Sequence, residues 1–363
     1  HGHTDHMDPG TIPALLAANP RARVLAPRAE QARALERGMP PDRLVLIDAG
    51  ETVDLGGLRC TATPSAHEEM TRSEAGYLYL GYVLSGGGVT LWHSGDTIPW
   101  DGQVEWLAPF RVDLALLPVN GRDAQRAANG VPGNLTMDEA MALTDAIGAR
   151  AMIAHHFGLF DFNTLDPAKG QRLIATRPHR AEVVLAAPFT AFRVAPAKRA
   201  PLAVLMVCRG NICRSPTAEG CLSALLPDLT IDSAAIMDWN IGRPPHAETQ
   251  AVALARGIRL QAQQARQVTA GDFRRFDLIL GMDDENMVAL HAIRPLDATA
   301  VVGRLGAYLE PGRPAAIADP WGHERAVFEA VFDQIHAATA GLARLIAAAT
   351  QDGEGRNGLR TQG

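Results

Sequence analysis

The pattern of apolar and polar positions divides the chain into two halves. Between residues 1 and 194, short apolar runs alternate with glycine turns and predict β-strands in VLIDAGETVDLGGLRCTATPSA, YLYLGYVLSGGGVTLWHSGD and VDLALLPVN. TMDEAMALTDAIGA predicts a helix that ends near a glycine. AEVVLAAPFTAFRV predicts one further strand before this half ends.

A short linker of proline, alanine and basic residues, APAKRA at 195–200, follows the first half. The pattern then restarts with an apolar strand LAVLMVC, a tight loop and a helix SPTAEGCLSALL, which is how parallel α/β domains begin. A strand FDLILGM and a long amphipathic helix from about Glu324 to Ala348 come later, and the polar, glycine-rich tail at 351–363 predicts disorder. The sequence therefore predicts two α/β domains, at 1–194 and 201–350.

Length and composition agree with this division. A chain of 363 residues is too long for one typical core, and 47% apolar with 20% charged residues is ordinary for a globular protein. The net charge of −6 argues against nucleic acid or an anionic membrane as the main partner, and no apolar run approaches the roughly 18 residues of a membrane span. Three of the four cysteines are clustered, which is not the pattern of a secreted disulfide framework and predicts a reactive thiol in a reducing, cytoplasmic setting; the four are Cys60, Cys208, Cys213 and Cys221.

The loop VCRGNICRSP carries the sharpest chemical signal, a Cys-x5-Arg motif from Cys208 to Arg214 between a strand and a helix. Backbone N–H groups at a helix N-terminus bind a phosphate dianion and favour the thiolate form of Cys208, which can attack phosphorus. The planar fork of Arg214 can bind two phosphoryl oxygens. Gly210 permits backbone conformations that other residues resist, and the Ser215 hydroxyl can donate to the sulfur. Taken alone, the motif is equally compatible with a buried structural cysteine.

The second half resembles the low-molecular-weight protein tyrosine phosphatases over about 201–350. After the loop, the segments IDSAA, WNIGRPPH, ARQVTAGDF, LILGMDDEN and ADPWG are similar to that family's later blocks, in order. The resemblance implies a parallel-sheet, Rossmann-like α/β domain of the phosphotyrosine phosphatase I type. It also implies hydrolysis of a phosphotyrosine protein or small aryl phosphate through a phosphocysteine, without a cofactor.

The same resemblance implies a role for each site residue. Cys208 is the nucleophile, Arg214 clamps the phosphate, and Asp319 is the general acid that protonates the leaving phenolate and then activates water. Trp239 and Trp321 wall an aromatic slot. The remaining residues bind phosphate or support the loop: Gly210, Asn211, Ile212, Cys213, Ser215 and Ser233. On oxidation, Cys213 would form a reversible disulfide with Cys208.

Sister activities and departures from the family pattern refine this expectation. Arsenate reductases on this fold relay oxidation through two downstream cysteines, and because no cysteine follows Cys221, that relay is absent here. Phosphoarginine phosphatases carry threonine where this chain has Ile212, so the isoleucine favours phosphotyrosine as substrate. Arg209 stands where the family usually has a small or apolar residue, and His246 replaces a usual aspartate, so substrate preference is the open question. Taken alone, Asp319 before proline is compatible with a simple turn, and the two tryptophans with ordinary packing.

The first half opens on HGHTDH, which offers two sets of metal ligands within one loop. Further candidate ligands each follow an apolar strand-like run, which places them at the carboxyl ends of strands, where α/β active sites gather. The full set is His1, His3, Asp5, His6, His67, Asp96 and His156. Taken alone, the opening is also compatible with a tag remnant or with an adventitious Cu(II) or Ni(II) site.

These ligands, with LWHSGDT, LPVNGRD, NLTMDEAM and HFGLF, resemble the metallo-β-lactamase superfamily over residues 1 to about 194, closest to the branch of ascorbate-6-phosphate lactonase. The resemblance implies two Zn or Mn ions and a small-molecule lactone or ester, or a phosphate ester, as substrate. His1, His3 and His67 would bind one ion, Asp5, His6 and His156 the other, and Asp96 both. His93 and His155 would support the ligands. Because the superfamily places several strands before this motif, we expect a domain truncated at its N-terminus, a partial αββα sandwich.

The leading hypothesis is a bifunctional hydrolase, and two alternatives stay open. One half could serve only for binding, either by reading phosphotyrosine or as a regulatory metal module. The presence of Cys208, Arg214 and Asp319 together argues against the first of these. The pair Cys208 and Cys213 could instead form a redox site, but Arg214 and Asp319 would then be superfluous.

Overall fold

The computed structural model describes residues 1–131, 133–187, 190–197, 200–312 and 315–350. The described chain folds into two compact units, and the predicted two-domain α/β class is confirmed. The first unit holds His1–Trp100 and Val112–Ala197, and the second holds Asp101–Arg111 with the described residues from 200 to 350. The tail at 351–363, for which the sequence predicts disorder, lies outside the described residues.

Both units contain helices and strands. The helices are α1 Thr11–Ala18, α2 Gln31–Glu36, α3 Gln103–Leu107, α4 Ala124–Ala128, α5 Met137–Ala146, α6 Pro167–Thr176, α7 Arg214–Leu225, α8 Ala247–Ala255, α9 Asp272–Arg275, α10 Asp284–Ile293 and α11 Arg325–Thr350. The strands of the first unit are β1 Val24–Pro27, β2 Leu44–Ile47, β3 Thr52–Asp54, β4 Arg59–Pro64, β5 Arg72–Ser73, β6 Gly76–Tyr77, β7 Leu80–Gly86, β8 Val89–His93, β9 Leu114–Pro118, β10 Ala151–His155 and β11 Glu182–Leu185. Those of the second are β12 Ala203–Cys208, β13 Thr230–Ala235, β14 Leu278–Gly281 and β15 Val301–Arg304.

A mixed seven-stranded sheet, in the order β11-β10-β9-β8-β7-β4-β3, organises the first unit. β4 and β8 are each antiparallel to β7, and β8, β9 and β10 are mutually parallel, so β4, β8, β9 and β10 run in one direction. Their carboxyl ends therefore meet at one edge of the sheet. Buried apolar side chains such as Trp92, Leu117 and Met152 fill the strands behind this edge.

Local sequence explains where two elements of this unit begin and end. Helix α5 starts at a capping box. The backbone N–H of Glu139 donates to the Thr136 hydroxyl oxygen, and the backbone N–H of Thr136 donates to the Glu139 carboxylate. Of the strand predicted over AEVVLAAPFTAFRV, the described residues form Glu182–Leu185, and residues 188–189 of that segment lie outside the described part of the chain. Among the described residues this strand pairs with β10, from Glu182 opposite Ala151 to Leu185 opposite Ala154, one residue before β10 ends at His155.

A parallel four-stranded sheet, in the order β13-β12-β14-β15, forms the second unit. The chain leaves β12 through α7 to β13 on one side and later returns to β14 on the other. The carboxyl end of β12 is thus a topological switch point, where open α/β sheets bind ligands. The long helix α11 packs on α7 and α8, and buried residues such as Phe273, Leu205 and Ile335 form the core.

Residues 101–111 pack with the second unit although they precede it by about a hundred residues in sequence. The Tyr308 hydroxyl donates to the Glu105 carbonyl oxygen at 2.8 Å, and Arg111 donates to Asp277 at 2.8 Å.

The domain bounds 1–194 and 201–350 remain predictions. No helix in the described chain has the length and apolar character needed to cross a bilayer.

Candidate active sites

The phosphate-binding motif lies at the switch point of the second sheet. Strand β12 ends at Cys208, and the chain turns through 209–213 before α7 begins at Arg214. Asn211 takes up a left-handed backbone conformation with φ of 52°. Its N–H donates to Cys208 Sγ at 3.3 Å, and the Ser215 hydroxyl oxygen lies 3.0 Å from the same sulfur. The turn therefore directs polar groups at Cys208 Sγ.

A buried hydrogen-bond network supports this turn. The Asn211 amide nitrogen donates to the hydroxyls of Ser215 at 2.9 Å and Ser233 at 2.8 Å, and the Asn211 amide oxygen accepts from the backbone N–H of Arg266 at 3.0 Å. Ser233 donates onward to the Glu219 carboxylate at 2.6 Å. Burial raises the pKa of Glu219. The network ties the loop to α7 and β13.

Arg214 lies buried behind the loop, with 2% of its side chain exposed. Its guanidinium donates to Asp283, to Asp319 Oδ2 at 2.6 Å, and to the Ile317 carbonyl oxygen at 3.0 Å. Its Nε is buried and has no hydrogen-bond partner among the described residues. Because an unpaired buried donor is costly, this group is available to an anion held in the loop.

An open cleft of about 670 Å³ leads to the loop. Trp239 and Trp321 line it and are 57% and 65% exposed, which is unusual for such large apolar side chains. The predicted residues Asn211, Ser215 and Ser233 lie behind this lining and support it. The cleft is lined by Cys208, Arg209, Gly210, Ile212, Cys213, Trp239, Asn240, Arg243, Asp319, Trp321 and His323.

Cys213 also lines the cleft, and its thiol differs from a reactive one. Burial raises the pKa of Cys213 to about 12, so the thiol is neutral at neutral pH. All four cysteines are free. The disulfide between Cys208 and Cys213 stays a prediction for oxidising conditions.

The predicted metal ligands meet at the common edge of the first sheet. His67 follows β4, Asp96 follows β8 and His156 follows β10, and the opening loop reaches the same edge. In each of two groups the candidate ligand atoms lie within 4.8 Å of one another: His1, His3 and His67 in one, and Asp5, His6, Asp96 and His156 in the other. The structure thus brings together all seven residues in the two sets that the resemblance implies.

Asp96 lies buried between the two groups. Its Oδ2 is 3.4 Å from His6 Nε2, 3.8 Å from His67 Nε2 and 4.0 Å from His1 Nε2, while its Oδ1 is 3.1 Å from His156 Nε2. One carboxylate thus faces both sets of ligands, which is the arrangement needed to bridge two cations.

The donor set fits divalent cations. Nε2 of His1, Nε2 of His6 and both ring nitrogens of His67 are buried without a hydrogen-bond partner among the described residues. Such a concentration of unpaired buried nitrogens is rare in folded proteins, and imidazole with carboxylate suits Zn or Mn. His156 has φ of 62°, a strained conformation for a bulky residue that is typical of functional sites.

His93 and His155 belong to neither group of ligands. Their ring centroids lie 4.8 Å apart, and the Gly95 N–H donates to His93 Nδ1 at 3.0 Å. Burial lowers the pKa of His155 to about 3, so its ring is neutral. Both rings therefore pack as neutral neighbours of the site.

Sequence reasoning missed two residues of these sites. The Tyr79 ring lies 5.4 Å from the rings of His1 and His67, but Tyr79 belongs to an apolar, strand-like segment and carried no distinguishing signal. Asp283, which pairs with Arg214, falls within LILGMDDEN, and its place in that family-like block was a usable signal.

Comparisons with known proteins match the two halves of the chain to two different family models. A family model described as low molecular weight phosphotyrosine protein phosphatase matches residues 203–352, and one described as beta-lactamase superfamily domain matches residues 1–157. The low molecular weight phosphotyrosine protein phosphatase of Sus scrofa is 38% identical over 146 residues, which cover 38% of this chain and 91% of that protein. The low molecular weight protein-tyrosine-phosphatase YfkJ of Bacillus subtilis (strain 168) is 39% identical over 126 residues, covering 33% of this chain and 81% of that protein. The crystal structure of YfkJ is similar with a TM-score of 0.39 and 35% identity, covering 43% of this chain and all of that one.

The comparisons show the phosphatase family for the second half and match the first half to a beta-lactamase superfamily model, and the lactonase-like branch stays a prediction. A beta-lactamase superfamily model matches residues 1–157. Through residues 203–352, the chain belongs to the low molecular weight phosphotyrosine protein phosphatase family.

Proposed function

We propose that the second unit hydrolyses phosphotyrosine, or small aryl phosphates, with Cys208 as nucleophile. The observation that carries this proposal is that Cys208 and Asp319 line one cleft, and that the Arg214 guanidinium, buried behind the loop, donates to the Asp319 carboxylate at 2.6 Å. Arg214 exchanges its carboxylate partners for phosphoryl oxygens, which it can bind through two parallel hydrogen bonds. Trp239 and Trp321 flank the substrate ring.

Two displacements complete the reaction. Cys208 Sγ forms a bond to phosphorus while the bond from phosphorus to the phenolic oxygen breaks, and Asp319 transfers its proton to that oxygen. A water molecule then attacks phosphorus and gives a proton to Asp319 as the S–P bond breaks, releasing phosphate and restoring the thiolate. The Ser215 hydroxyl, 3.0 Å from the sulfur, stabilises the thiolate at the start and at the end.

Substitution at the nucleophile tests this assignment. Cys208→Ser should abolish turnover of p-nitrophenyl phosphate while inorganic phosphate still binds, measured by calorimetry. Cys213→Ser, at a buried neutral thiol in the same cleft, is the matched control and should retain activity. Undiminished turnover in Cys208→Ser would rule the mechanism out.

The Asp319 role has its own test. Asp319→Asn should lower kcat for phenyl phosphate by about 10²- to 10³-fold, because the poor leaving group needs a proton. The loss should be smaller for p-nitrophenyl phosphate, whose phenolate leaves without one. Equal losses for both substrates would contradict the role of general acid.

We propose that the first unit is a metal-dependent hydrolase of a small lactone, ester or phosphate ester. The two groups of ligands and the carboxylate of Asp96 between them support this proposal. His1, His3 and His67 would hold one divalent Zn or Mn ion, Asp5, His6 and His156 the other, and Asp96 both. Such ions polarise the scissile group and lower the pKa of water. The buried side chains of Asp96 and His67 supply fixed ligands.

Metal content and activity separate this proposal from a purely binding role. The full chain should carry about two equivalents of Zn or Mn by mass spectrometry of the metal. His67→Ala should lose at least one equivalent, and His179→Ala, in the same unit but outside both groups, should lose none. Full metal content in His67→Ala would contradict the ligand assignment. Bound metal without hydrolysis of any lactone, ester or phosphodiester tested would favour a regulatory module instead.

A further inference from the structure

Positive charge dominates the rim of the phosphatase cleft. Two exposed arginines, Arg209 and Arg243, line it, and Asp319 is the one carboxylate in its lining among the described residues. The proposed mechanism uses Asp319 for proton transfer and assigns no role to Arg209 and Arg243. The rim charge is therefore available to parts of a substrate other than the phosphate.

Arg209 has the better defined position of the two. It follows Cys208 directly, and its carbonyl oxygen accepts from the Met237 N–H at 2.9 Å, which anchors the backbone. Its guanidinium carbon lies 5.3 Å from the centroid of the Trp239 ring, within the range of a cation–π contact. The aromatic wall thus holds the guanidinium beside the slot proposed for the substrate ring.

The carboxylate partner that Arg209 now has is a weak one. Arg209 Nη1 lies 3.5 Å from Glu285 Oε2, and the two side chains are 48% and 66% exposed. Exposed pairs of this kind contribute little free energy because water screens them. A substrate carboxylate placed beside the slot can therefore replace Glu285. Arg243 makes no ion pair within the described part of the chain and adds to the positive potential there.

We propose that Arg209 is a specificity-determining residue that selects phosphotyrosine peptides with aspartate or glutamate next to the phosphotyrosine. The inference rests on the proposed phosphatase function and names its substrate class. Neighbouring residues of an extended peptide are only about 3.8 Å apart at Cα, so an acidic neighbour reaches the Arg209 guanidinium while the phosphotyrosine ring lies beside Trp239. At the corresponding position a small or apolar side chain would offer no such contact.

The test uses the full chain and two peptides that differ only in charge. One carries aspartate on both sides of phosphotyrosine and the other carries asparagine; p-nitrophenyl phosphate serves as the small aryl phosphate. The unaltered chain should prefer the aspartate peptide by about fivefold in kcat/KM, through KM, and added salt should reduce the preference. Arg209→Ala should abolish the preference, so that kcat/KM for the two peptides becomes equal within about twofold.

Two further variants sharpen the result. Arg259→Ala removes the same charge from an exposed position outside the cleft and should keep the preference. Glu285→Gln removes the competing carboxylate and should increase it. A preference that survives in Arg209→Ala, or no preference in the unaltered chain, overturns the inference while the phosphatase function stands. Failure of the unaltered chain to hydrolyse any of the three substrates would instead overturn the phosphatase function.

Discussion

Asn211→Ala should weaken the second unit more than any exposed substitution, although it removes only a small side chain. Asn211 is 2% exposed, and its side-chain amide makes three hydrogen bonds, two buried ones to Ser215 and Ser233 and a partly buried one from Arg266. Its backbone is also left-handed, a conformation that asparagine tolerates and alanine does not. The substitution therefore acts on the loop through two separate physical causes.

The magnitude follows from these two causes. Three hydrogen bonds at about 1 kcal/mol each contribute about 3 kcal/mol. The left-handed conformation of alanine adds about 1 kcal/mol. The free energy of unfolding should fall by about 4 kcal/mol, a large part of the 5–15 kcal/mol that a domain ordinarily has. Asn211→Gly loses the same hydrogen bonds without the conformational penalty, so it should be more stable than Asn211→Ala by about 1 kcal/mol.

Hydrogen exchange in the full chain measures this loss in one unit at a time. The slowest amides of β12 report unfolding of the second unit, and those of β9 report the first. Asn129→Ala, an exposed asparagine of the first unit, is the matched control and should leave β12 unchanged. A loss below about 1 kcal/mol in Asn211→Ala would refute the accounting of the hydrogen bonds. An Asn211→Gly chain less stable than Asn211→Ala would refute the conformational argument.

Three further predictions follow from other buried groups. Burial tends to raise the pKa of Asp272, but hydrogen bonds from Arg266 and Thr269 hold this pKa below its ordinary value of 3.8. Asp272→Asn should therefore lower the free energy of unfolding, measured with urea at pH 7, by about 2 kcal/mol. This difference should disappear as the pH falls through the pKa of Asp272 in the folded chain. Alanine favours helices over glycine by about 1 kcal/mol, yet Gly341→Ala should lower the Tm, because its Cβ would lie 2.1 Å from the Tyr308 carbonyl oxygen; an unchanged or higher Tm would contradict this overlap. Iodoacetamide at pH 7 should label Cys208 first, because burial raises the pKa of the other three thiols to about 11 or 12. Inorganic phosphate should protect Cys208 from labelling. Mass spectrometry that finds the first label at Cys60, Cys213 or Cys221 would count against this prediction.

Much of both candidate sites is predictable because their residues follow strands that end at a sheet edge. The apolar runs before His67, Asp96 and His156 predict strands, and parallel strands bring their carboxyl ends together. The loop from Cys208 to Arg214 is local in sequence, so its strand, turn and helix were readable directly. The roles of these residues remain proposals.

Contacts over long sequence separations were not predictable from local pattern. Asp283 reaches Arg214 from the start of α10, and Trp239 holds Arg209 from a loop after β13. Tyr79 resembles any other core aromatic until the structure places it against the histidines. Such positions depend on how whole elements pack, and no periodicity records that.

The sequence by itself determined the two-domain α/β class and the candidate residues of the loop and of the ligand sets, because strand periodicity, turn residues and motif spacing act over a few residues at a time. Only the tertiary structure decided that 101–111 pack with the second unit, that β11 pairs with β10 from Glu182 to Leu185, and that Asp96 faces both groups of ligands. These outcomes depend on burying apolar surface and pairing polar groups between elements far apart in the chain. That free energy exists only once the elements have come together.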